Sequence, residues 1–176
     1  PMSNFLVNVV ESRGGNSADL GVALFLMGGF ELPTAFFFQR MLRRLGSVRL
    51  ILISMVFVTL KAAALLLSFN LTTLFLAQPL QMLGYGLFTP ASVYFVNESV
   101  PQADRVRGQT VMMVASNGMG GMLGSYISGL ALDAGASLPM GGANLMLLCC
   151  IALGCAATAL AAVALALRKK SKRGNL

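Results

Sequence analysis

Apolar residues in this chain come in long runs, and the charged residues gather at the ends of those runs. A helix that is apolar all round belongs in a core or a bilayer, and about 20 such residues cross a hydrocarbon layer of about 30 Å. Runs at about residues 20–41, 50–69, 74–96, 110–132 and 143–167 reach that length, and each is bounded by charge, Gly or Pro. They predict five transmembrane helices. The third run is interrupted by Pro79, Gly84, Gly86 and Pro90. An earlier run, Phe5 to Val10, is too short to cross and ends in the polar turn Glu11-Ser12-Arg13-Gly14-Gly15-Asn16. Residues 1–18 therefore read as the end of a preceding helix, whose beginning is missing from the chain, followed by an external loop. Residues 168–176 form a basic tail. The fold class expected is an all-α membrane protein with a single transmembrane domain.

The basic residues orient it. Arg40, Arg43, Arg44 and Arg49 separate the first two spans, Arg105 and Arg107 the third and fourth, and Arg168, Lys169, Lys170, Lys172 and Arg173 follow the fifth. The opposite loops hold Arg13 with Glu11, Asp19 and Asp133. Five crossings place the three basic clusters on one face, which the positive-inside rule makes cytoplasmic. The expected location is the inner or plasma membrane, with the C-terminus inside.

Composition agrees. Of the 176 residues 56% are hydrophobic and 11% charged, against about 25% charged in soluble domains. The net charge of +7 lies in short clusters; a nucleic-acid partner would need a continuous basic face interleaved with aromatics. His is absent, and Cys149, Cys150 and Cys155 share one apolar run. That pattern predicts no metal, no cofactor and no disulfide framework, only thiols that pack or face lipid. No nucleophile–base constellation suggests an enzyme.

Two charges lie deep in the apolar runs. Glu31 precedes Arg40 by nine residues and Lys61 follows Arg49 by twelve, so both sit roughly 14–18 Å from the boundary, near mid-bilayer. An unpartnered charge there costs at least about 2.5–3.5 kcal/mol. Matched depth and opposite sign favour a pair that lines a solute or ion path, or one that merely fixes helix packing. Pro33, after Gly28 and Gly29, frees a backbone carbonyl close by. On the third run Gln78, Gln81, Tyr85, Thr89 and Ser92 recur at three- and four-residue steps. Gln81, Tyr85 and Thr89 are candidates to hydrogen-bond a polar solute, with interhelical bonding as the alternative. In the fourth run, Gly120-xxx-Gly124 and Gly121-xxx-Ser125-xxx-Gly129 predict close helix packing, and Asn117 is a further candidate for the cavity. The fifth run has no deep charge and is expected to be peripheral.

A family resemblance rests on residue order. Met27-Gly28-Gly29-Phe30-Glu31-Leu32-Pro33-Thr34, then Phe36 to Phe38 and Arg43-Arg44-Leu45-Gly46, resembles the eighth helix and following loop of lactose-permease-like carriers in the major facilitator superfamily. Leu80-Gln81-Met82-Leu83-Gly84-Tyr85-Gly86 resembles the tenth helix of its sugar, nucleoside and phenylpropionate symporter branch. Asp104-Arg105-Val106-Arg107-Gly108-Gln109 resembles the loop into the eleventh. The resemblance implies a C-terminal half-bundle, partnered by a missing N-terminal transmembrane half. It implies that Glu31 contacts solute and that Lys61 takes part in proton coupling. The branch's titrating positions on the tenth helix are Gln81 and Gly84 here, which removes the usual coupling group and leaves Glu31 to carry a proton. The expected function is secondary transport of a small polar or amphipathic solute. The competing expectation is a membrane scaffold held by a structural Glu31–Lys61 pair.

Overall fold

A computed structural model describes residues 5–139 and 141–174, with side chains described as far as Ala166. The basic tail expected at 168–176 lies outside the described side chains. Among the described residues there is no strand. The helices are α1 (Leu6–Ser12), α2 (Ser17–Leu45), α3 (Ser47–Leu66), α4 (Leu71–Ala77), α5 (Leu80–Leu83), α6 (Tyr85–Ser99), α7 (Arg105–Met113), α8 (Gly120–Gly135) and α9 (Gly142–Gly174). A 3-10 turn (Gln102–Asp104) precedes α7, and a π-helical segment (Val114–Met119) joins α7 to α8.

Local chemistry sets the boundaries. The Asn16 side chain accepts hydrogen bonds from the Ala18 and Asp19 amides, and Asp19 accepts one from the Asn16 amide. This reciprocal cap starts α2. Asn70 and Thr73 start α4 in the same way. Gly46 stands between α2 and α3 at φ 78°, a left-handed conformation open to glycine at little cost, so one residue turns the chain.

The helices α2, α3 and α9 as far as Ala166 are each long and apolar enough to cross a membrane unbroken. The third and fourth expected spans are helical but segmented. Pro79 has no amide proton to donate, and the chain bridges it with tight turns, Gln78 N to Phe75 O and Gln81 N to Gln78 O. Gly84, at φ −80° and ψ −96°, then leaves helical geometry and separates α5 from α6. Pro90, by contrast, stays inside α6. The fourth run starts earlier than expected, at Arg105, and widens into the π turn before α8.

Packing falls into clusters at opposite ends. Leu6, Val9, Val10, Ala23, Leu65, Leu74, Met146 and Leu147 are buried together where α1, α2, α3, α4 and α9 meet. Phe38, Leu50, Leu87 and Ala91 are buried together where α2, α3 and α6 meet. At the first end Arg13 donates to Asn144 Oδ1 at 2.8 Å and to Ser68 Oγ at 3.4 Å, tying the α1–α2 turn to α3 and α9. At the second, Ser47 donates to the Glu98 carboxylate, fastening α3 to α6. Much of the remaining surface is apolar: Phe36 is 84% exposed and Phe69 86%. Water does not tolerate so much apolar surface, and lipid does.

The fifth apolar run is peripheral past its first turns, as expected: 11% of its membrane span is buried, and one side of α9 lies against α3 and α8. Its Gly154 lets α3 come so close that a Cβ there would overlap the Thr59 hydroxyl. Among the described residues the small-residue stripe of α8 is uncovered at Gly121 and Gly129, where a Cβ would meet nothing within 4 Å. The neighbouring face, with Ser128, Ala131 and Gly135 buried, packs instead. Gly154→Leu should therefore destabilise the fold by about 1–3 kcal/mol, the cost of forcing extra carbons into a closed contact. Thermal unfolding in detergent would measure this against Gly129→Leu, which should be nearly silent.

Candidate functional site

The sequence candidates lie around α6. Glu31 of α2 is half-buried and faces Gly86, where a Cβ would stand 3.5 Å from Glu31 Cγ and 3.4 Å from Thr34 Oγ1. Thr34, itself buried, donates to the Met82 carbonyl at 3.2 Å. That contact holds α2 against α5. Beside it opens a cleft of about 560 Å³ lined by Glu31, Ala35, Phe38, Gln39, Tyr85, Gly86, Thr89, Pro90 and Tyr94. Along its wall Gln39 Nε2 donates to the Tyr94 hydroxyl at 2.6 Å, and the tilted Phe38 and Tyr94 rings lie 5.6 Å apart.

Tyr85 and Thr89 also line a second, smaller cleft of about 110 Å³ on the other side of α6, with Phe88, Ser92, Gln109, Ser116 and Asn117. The Tyr85 hydroxyl donates to Asn117 Oδ1 at 3.3 Å, joining α6 to the π turn. Thr89 donates to the Tyr85 carbonyl one turn back. The structure thus brings together Glu31, Tyr85 and Thr89 in one cleft, and Tyr85, Thr89 and Asn117 in the other.

Lys61 and Gln81 line neither. Lys61 is 3% exposed, and its ammonium donates to Gln81 Oε1 at 2.9 Å and to Met27 Sδ at 3.5 Å. The ion pair with Glu31 is not formed. Among the described residues the ion pair within 4 Å is Arg107–Asp104. The physical reason is the break at Pro79: it lays α5 against α3 and brings a neutral amide to the ammonium, while Glu31 turns to the cleft. Gln78, the other amide of the polar stripe, is fully buried and donates to the Leu74 carbonyl, with its Oε1 unpartnered.

Sequence reasoning passed over Gln39 and Tyr94. Gln39 adjoins Arg40 at the polar end of its run. Tyr94 falls off the three- and four-residue stripe of Tyr85 and Thr89. An isolated amide and a phenol at the same end of the two segments that carry Glu31 and Tyr85 were the available signal.

Residues 1–139 match the MFS_1 like family. The chain belongs to this family. It is a multi-pass membrane protein, and its family is the superfamily that the residue order resembled. Over 109 residues it is 34% identical to the xanthosine permease of Escherichia coli (strain K12), a stretch covering 60% of this chain and 25% of the permease. The chain thus spans about a quarter of the length of this relative. No solved structure matches.

For this MFS_1-like protein the buried ammonium sets a stability test. Gln81→Leu removes the close acceptor and strands a charge, which should cost about 1.5–3 kcal/mol. Adding Lys61→Met should recover most of that loss, because an apolar pair of similar volume needs no partner. A double-mutant cycle on detergent-solubilised protein measures the coupling.

Proposed function

We propose that this chain forms the C-terminal transmembrane half of a secondary transporter for a nucleoside-like solute, an aromatic base carrying a hydroxylated sugar. The observation that carries the reading is Glu31: a carboxylate in the middle of a membrane-crossing helix, at the wall of a cleft, without a hydrogen bond or ion pair among the described residues. Such a group is expensive in lipid and is kept where it does work. Its oxygens accept from sugar hydroxyls or a base N–H, Tyr85 and Thr89 offer hydroxyls, and the half-exposed aromatic ring of Tyr85 offers a face for a flat base. The xanthosine permease, named for a nucleoside, supports the solute class.

In this reading the solute binds between this bundle and an N-terminal half, and the halves rock to expose the cleft to either side. Glu31 is the proton carrier. Lys61 biases its charge from a distance, held off by Gln81. The C-terminus lies in the cytoplasm and the membrane is the plasma membrane. A scaffold held by a Glu31–Lys61 pair is the weaker reading, because the ammonium engages Gln81 and the carboxylate faces the cleft.

Glu31→Gln in the native carrier should abolish uptake of labelled nucleosides with surface expression intact; unchanged uptake sinks the assignment. Tyr85→Phe deletes one hydroxyl and should raise KM by up to about tenfold, the worth of one neutral hydrogen bond. Uptake by the unaltered carrier should rise as external pH falls, and any residual uptake by Glu31→Gln should not.

A further inference from the structure

The end of α2 carries a feature outside both clefts. Phe37, Arg40, Met41, Arg44 and Leu45 recur at three- and four-residue steps and line a groove of about 320 Å³ on one face of the helix. Among the described residues, none of another element lines it. Phe37 is 60% exposed. At 29 residues α2 is longer than the hydrocarbon layer it crosses, at 1.5 Å rise per residue against about 30 Å, so its last turns emerge among the lipid headgroups.

The charge there is unbalanced. Arg40 and Arg44 are four apart on one face, a like-charge spacing that repels, with Arg43 beside them. Neither Arg40 nor Arg44 has a hydrogen bond or ion pair among the described residues, whereas Arg43 donates to the Gln39 carbonyl. The acids in the adjoining turns are already engaged, Glu98 by Ser47 and Asp104 by Arg107. The negative end of the α2 dipole offsets part of the charge. What remains is a pair of guanidinium groups one turn apart over an apolar strip.

We propose that this groove binds an anionic phospholipid, its phosphate held between Arg40 and Arg44 and its glycerol and upper acyl carbons laid along Phe37, Met41 and Leu45. The two parts of the groove match the two parts of that ligand. A guanidinium pair supplies forked donors to phosphate oxygens. An aromatic ring and two flexible side chains at the interface supply apolar contact that a soluble phosphate cannot use. The assignment does not depend on the solute, nor on which face of the membrane this end of α2 occupies.

Native mass spectrometry of the purified native protein, equilibrated with phosphatidylglycerol or phosphatidylcholine, tests it. Phosphatidylglycerol should be retained selectively. Arg40→Gln with Arg44→Gln should weaken that retention at least about tenfold, while Arg105→Gln with Arg107→Gln, an equal charge loss elsewhere, should not. Excess inorganic phosphate should fail to displace the lipid. Equal retention by the Arg40/Arg44 variant, equal loss in the Arg105/Arg107 variant, or displacement by phosphate alone would each overturn the proposal. Should the double variant not fold, Arg40→Gln and Arg44→Gln singly must each lower retention, and two unaffected single variants refute the site. A groove covered by another part of the native protein would show no selective lipid, which also refutes it.

Discussion

Lys61 brings a positive charge into an apolar interior, and the amide of Gln81 answers it at 2.9 Å. A charge in that setting must be solvated by protein, because neither lipid nor hydrocarbon side chains can do so. The geometry of α5 follows. This single turn, bounded by Pro79 and Gly84, touches α3 through Gln81 and α2 through the Met82 carbonyl that accepts from Thr34. Gly84 allows the close approach: a Cβ there would stand 3.0 Å from a Val58 methyl. A continuous helix through residues 74–96 would carry Gln81 on a different path.

Because α5 absorbs the break, α6 begins afresh at Tyr85 and presents the same phenol and threonine to clefts on both sides. Glu31 borders one and Asn117 the other. The π turn makes the second relation possible. Its wider winding rotates the helix face within one turn, and such turns occur often at functional sites. The Gln39–Tyr94 hydrogen bond ties α2 to α6 along the larger cleft that Glu31 also lines.

The outer surface obeys a different solvent. Exposed Phe25, Phe36, Leu32 and Met122 lie on helices whose polar groups are turned inward or gathered at the ends. Arg13, Ser47 and Glu98 stitch the ends of the bundle where water can help pay their desolvation, and the middle relies on close contacts such as Gly154 with Thr59. Arg40 and Arg44 stand at the junction of the two solvents, where a ligand with both characters is at home.

The helical membrane class and the family were legible in the order of residues, because hydropathy and motif spacing are local properties. Glu31, Tyr85, Thr89 and Asn117 were legible as polar groups out of place in apolar runs. The partner of Lys61 was not, since matched depth along two helices says nothing about which way each side chain turns. Nor was the use of glycine: Gly154 packs a helix pair while Gly121 and Gly129 face open space, although all sit in similar local sequence. By itself the sequence determined that these segments are helical, that some must lie in lipid, and that a few polar groups must find shelter. Only the tertiary structure decided who shelters whom, because rotation about each helix axis and the breaks at Pro79, Gly84 and the π turn are settled by contacts between segments far apart in the chain.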